Sequence, residues 1–161
     1  MRTPRLLRLL ALSAALAAIV AIPTMASADP GGSKILDDQL TGLPAANVNQ
    51  VLFGIPAGGL PWRLDSGSVH LFADGRLQVN VHGLVLAAGA AEGTNPIPNG
   101  QAIITCAGAP AAMSSVVSFS SGGDAQINEA VALPGHCLAP SVFFAGVPAP
   151  GVDRWFAVTG W

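Results

Sequence analysis

The chain has no tyrosine, only 10% charged residues, three histidines and two cysteines among its 161 residues. No run of like charges occurs, which excludes an acidic or basic interaction tail. The main apolar run, residues 9–22, is 14 residues long. That is short of the roughly 18 needed to cross a bilayer as a helix. No G-x-S-x-G nucleophile elbow is present, and only His70, His82 and His136 offer a base for a catalytic triad. C-x-x-C and H-x-x-x-H spacings are missing too, so no zinc site with four ligands is marked out. High apolar content with so few charges is the opposite of a disordered composition. No internal repeat is found.

What is present begins with a targeting signature. Arg2, Arg5 and Arg8 precede the apolar run, and Ala26-Ser27-Ala28 supplies the small-x-small pattern of a signal-peptidase site. The expectation is a signal peptide over residues 1–28, cleaved between Ala28 and Asp29, and one secreted β-domain over 29–161. No adjacent arginine pair favours twin-arginine export. No cysteine near the cleavage site offers a lipid anchor, and the chain closes at Gly160-Trp161 without an apolar tail. A freely secreted protein, with no stable membrane insertion after cleavage, is expected.

Cleavage leaves 133 residues, enough to bury about two-thirds of the unfolded surface. It also removes three arginines, so Lys34, Arg63, Arg76 and Arg154 face nine acids and the formal net charge falls from −2 to −5. Nucleic acid and anionic lipid are poor partners for such a surface. In an oxidising compartment the two cysteines, Cys106 and Cys137, are expected to form a disulfide. A metal site using His136 beside Cys137 is the sharper alternative. No metal or cofactor is predicted.

Gly and Pro, 19 and 13 of them, cut the rest into short segments. Residues 34–40 read as a helical turn or an edge strand. "GIPAGGLPW" (54–62) reads as loop, because its prolines remove ladder donors. "AAGAAEGTNPIPNG" (87–100) reads as a second loop, and "QAIITC" (101–106) as a strand. "MSSVVSFS" and "DAQINEAVAL" flank Ser121-Gly122-Gly123 and predict a hairpin. "SVFFAGV" lacks alternation and reads as a strand buried on both faces; "RWFAVTG" is the last strand. Many short strands with no convincing helix indicate an all-β antiparallel sandwich, or alternatively a small β-barrel.

The segment 67–86, "GSVHLFADGRLQVNVHGLVL", predicts a hairpin whose register matters. A two-residue Asp74-Gly75 turn would bury His70 opposite Val79. A three-residue Ala73-Asp74-Gly75 loop with a left-handed Gly75 instead pairs Leu71 with Leu77 and Val69 with Val79. It also places His70, Gln78, Ser68, Asn80 and His82 on the outer face. A one-residue slip flips every side chain, so the apolar layer selects the second register. Phe72 is then left outside, opposite Arg76. His70 and His82 fall about 13 Å apart along the sheet, too far to share a metal.

"LTGLPA" (40–45) followed by "GSVHLFADGRLQVNVHGL" resembles the opening of CHRD (chordin-type) domains, which implies a β-sandwich fold. The His-Ile-His motif that CHRD domains carry after this hairpin is not found. With "FGIPAGGLPW", the cysteine pair and "RWFAVTGW", the whole chain is similar to small secreted actinobacterial proteins of unknown function. That resemblance implies a compartment and a fold class, and no activity.

No catalytic residue is assigned. Asp37 and Asp38 are neighbours and face opposite sides of a strand, so they cannot flank one bond. Glu129 shares parity with Ala125, Ile127, Val131 and Leu133, which points it at the apolar face as a tuned acid or as an inward charge guarding an edge, unless a β-bulge re-aims it. Trp62 and Arg63 are the candidate binding residues. Trp62 either displays its ring in a solvent-accessible loop or caps the open end of the sandwich, and display is the prediction. Trp155 reads as core, and Trp161 is unassigned. The expected function is that of a non-enzymatic structural or interaction protein of the cell exterior. A carbohydrate- or protein-binding module using loop aromatics is the alternative, with cell-wall polysaccharide or an extracellular protein as partner. A hydrolase with a buried carboxylate is the third reading.

Overall fold

The computed structural model describes residues 32–160. The expected signal peptide, the expected Ala28/Asp29 cleavage site and Trp161 lie outside the described residues. Among the described residues, thirteen strands and one 3-10 turn, Ala45–Asn47, make up the regular structure. The strands are β1 (Lys34–Gly42), β2 (Val51–Leu52), β3 (Ile55–Pro56), β4 (Trp62–Arg63), β5 (Ser66–Phe72), β6 (Arg76–His82) and β7 (Val85–Leu86). They continue with β8 (Asn99–Cys106), β9 (Ala109–Met113), β10 (Val117–Ser118), β11 (Ala125–Ala130), β12 (Ser141–Ala149) and β13 (Val152–Thr159). Nine of them form one antiparallel sheet in the order β10-β8-β12-β13-β1-β5-β6-β11, with β9 also paired to β8. The first and last strands of that order, β10 and β11, lie against each other, so the sheet curls into a half-barrel around one core.

The β5–β6 hairpin adopts the three-residue loop. Leu71 pairs with Leu77, Val69 with Val79 and Gly67 with Val81, and the four aliphatic residues from Val69 to Val79 are fully buried. Gly75 has φ +89° and its N–H donates to Phe72 O at 2.9 Å. A side chain there would also strike Val131 O, whose own residue donates back to Gly75 O. Phe72 lies outside under the Arg76 guanidinium, 4.1 Å from the ring centre, which covers the outward ring.

β12 is buried from Val142 to Ala145 on both faces, as its missing alternation implies. Adjacent Phe143 and Phe144 point to opposite sides. Phe144 meets Phe119 inside the half-barrel, at 5.1 Å between ring centres. Phe143 packs edge-on against Trp155 and against Phe53 from the β2–β3 ribbon that covers the other side. The cysteines form the Cys106–Cys137 disulfide, with Cα atoms 4.9 Å apart, which replaces the metal alternative.

Residues 34–40 are a strand and not a helical turn: Lys34–Gln39 pair with β5 alone, as an edge does, and β1 meets β13 only from Leu40 onward. Three expectations are corrected. The 54–62 segment is not all loop: it contains β3 and opens β4, and Pro56 fits because a two-stranded ribbon leaves its nitrogen side unpaired. Residues 121–123 do not join a hairpin. β10 pairs with β8 and β11 with β6, so this turn carries the chain from one end of the curled sheet to the other. Finally, Trp62 is 5% exposed and stacks on Phe156 at 3.9 Å and 14°. Its ring caps the core and is not displayed.

Candidate functional site

The alternation that buries one face of β1, β5, β6 and β11 presents the other to solvent. Because the four strands are in register, their outward residues align in rows across the sheet. One row reads Asp37, His70, Gln78, Asn128, and the next Gln39, Ser68, Asn80, Gln126. Ser66 and His82 pair in a third, and Asp124 adjoins it, with Oδ1 3.5 Å from His82 Nδ1. Each four-residue row spans about 14 Å at a strand spacing of ~4.8 Å. Shallow depressions run between the rows, one against Asn80, His82, Asp124 and Gln126, a second against Gln39, Ser68 and Asn80. A third lies against Gln78, Gln126 and Asn128.

The side chains of Gln39, Ser66, Ser68, Gln78, Asn80, Gln126 and Asn128 make no hydrogen bond to the rest of the described protein. Their donors and acceptors are available to water or to a ligand. Elsewhere the same residue types are consumed internally. Asn95 holds the 87–100 loop by donating to Ile97 O and Ser120 O while its Oδ1 accepts from Ile97 N.

The titratable groups fall in pairs rather than in one cluster. His70 Nδ1 lies 2.8 Å from Asp37 Oδ1, but the approach is out of line with the ring N–H, which makes it a close polar contact and not a linear hydrogen bond. Lys34 donates to Asp37 at 2.7 Å and, with a lesser contribution from His70, holds that carboxyl below the usual aspartate range against desolvation, which acts to raise it. Asp38 sits opposite Val69 on the other face, so the two aspartates do point apart. His82 and His70 occupy different rows, and His136 is exposed on the 134–140 turn. No group of three or more His, Cys, Asp or Glu among the described residues is placed to hold a metal. Glu129 Oε1 accepts from Ser115 N at 2.6 Å, which ties β11 to the segment leading into β10. Arg63 is exposed and pairs with Asp65 at 3.3 Å.

The outward row residues of the hairpin were legible from its register, but the rows themselves were missed. They need β11 beside β6 and β1 beside β5, and no local pattern announces either pairing. No family model, no curated protein and no solved structure matches this chain.

Proposed function

We propose that this chain is a non-catalytic interaction protein of the cell exterior that binds polysaccharide through the outer face of β1-β5-β6-β11. The observation that carries this reading is the set of seven amide and hydroxyl side chains in aligned rows with no internal partner. Such groups match sugar hydroxyls, which both donate and accept. A protein partner is less well served, since hot spots favour aromatic anchors and arginine, and the face's one ring, Phe72, is covered by Arg76. Shallow polar contacts are weak singly, and a polymer with repeated units compensates by engaging several at once.

Export belongs to the same proposal. Cleavage after Ala28 would bring the chain to the compartment where the Cys106–Cys137 disulfide persists. Intact mass of protein from culture medium should begin at Asp29. The likeness of the β5–β6 hairpin to CHRD domains is proposed on this face's two central strands.

The test is retention on purified cell-wall polysaccharide. Replacing both Asn80 and Gln126 by alanine should weaken retention at least tenfold and leave the melting temperature unchanged. Equal retention of the native and doubly substituted proteins would sink the reading.

A further inference from the structure

A surface cleft of about 340 Å³, lined by none of the residues of the polar face, is within the size range of small-ligand sites, about 300–1,000 Å³. Its walls are Leu60, Ile97, Pro148 and Phe156, and Gly58 and Gly59 leave it open. Two donors border this apolar space. One is the indole N–H of Trp62. The residue is 95% buried, yet Nε1 makes no hydrogen bond in the described protein. The nitrogen faces Gly58 on the cleft wall, 3.2 Å from where a side chain at that position would begin. The nitrogen itself is not fully buried, so its N–H is open to the cleft and available to a ligand.

The other donor is Arg154. Of the four cations among the described residues, Lys34, Arg63 and Arg76 are paired with Asp37, Asp65 and Asp74. Among the described residues Arg154 has no carboxylate partner and only bends back to Asp153 O at 3.1 Å. The Asp153 carboxylate is engaged elsewhere, accepting from Gln101 Nε2 at 2.8 Å.

We infer that this cleft binds an apolar carboxylate, its hydrocarbon body against Leu60, Ile97 and Phe156 and its carboxylate against Arg154 and the Trp62 indole N–H. An apolar cavity alone would accept any hydrophobe. A guanidinium with no carboxylate partner among the described residues at its rim and an accessible indole donor in its wall select an anionic, hydrogen-bond-accepting head.

The test uses purified protein with ¹⁵N-labelled indoles, titrated with dodecanoate and, separately, with dodecyltrimethylammonium, both kept below micelle formation. Dodecanoate should shift the Trp62 indole resonance saturably, and the cationic amphiphile should not. Arg154→Gln should weaken dodecanoate at least tenfold by calorimetric titration, a measurement that needs no change at Trp62. Gly59→Phe should abolish binding without loss of fold, because a Cβ there meets only Asn49 Oδ1, at 3.5 Å, and Gly59 lines the cleft. No saturable shift with dodecanoate, equal binding of the cationic amphiphile, or unaltered affinity in Arg154→Gln would each overturn the inference. Polysaccharide retention should be unaffected by Arg154→Gln, so this site and the polar face fail or stand separately.

Discussion

Trp62 shows how a residue's setting in sequence misleads. Pro61 before it and the glycines upstream look like an exposed loop, yet the ring lies flat on Phe156 and is 5% exposed. Trp62→Ala should therefore destabilise by about 3–5 kcal/mol in urea titration, as removal of a buried aromatic does. Gly75 is the converse case, where the sequence pattern was sufficient. Gly75→Ala must hold a left-handed residue at a cost of about 1–3 kcal/mol, before the contact with Val131 O is counted. A wild-type midpoint in that variant would refute the loop geometry. Asp74 carries a pH signature. The Arg76 backbone N–H, then its guanidinium, hold the Asp74 carboxyl below the usual aspartate range. A lowered folded-state value means stabilisation present above the unfolded value and lost as pH falls through the folded one. The midpoint difference between native protein and Asp74→Asn should be present at neutral pH and vanish in strong acid.

At the level of elements, the β5–β6 hairpin was readable because a two-residue period has only two registers and one of them buries a histidine. The 121–123 turn was not readable, because a Gly-rich break between two apolar runs looks the same whether the runs pair with each other or with strands at opposite ends of a sheet. Glu129 takes part in joining those ends. Its inward parity was visible, and its partner Ser115 N was not, since only the curl of the sheet brings them together. A hydrogen bond to a charged group contributes about 1.5–3 kcal/mol when buried. Half-buried as it is, Glu129→Ala should cost about 1 kcal/mol and speed amide exchange at Ser115 selectively. Uniform acceleration across β11 would mean that the carboxylate serves the strand as a whole and not this seam.

For the whole molecule, the disulfide and the polar face separate stability from interaction. Cys106 and Cys137 close a loop with a sequence separation of 31, and in the chain-entropy model the bond stabilises by about 3–4 kcal/mol. Reduction should lower the urea midpoint accordingly. The Asn80/Gln126 double substitution should move stability by no more than about 0.5 kcal/mol, because neither side chain is bonded within the protein. The sequence by itself determined whatever depends on neighbours along the chain. That covers the all-β class, the inward and outward faces of the hairpin, the left-handed Gly75, and the two-sided burial of β12. The cysteine pairing followed because only one pair exists. Tertiary structure alone decided which strands lie side by side, that Trp62 meets Phe156, that Glu129 reaches Ser115, and that four strands align their amides into rows. Those facts depend on how far the sheet curls before its ends meet, a balance struck among core side chains distant in sequence, which no local period encodes.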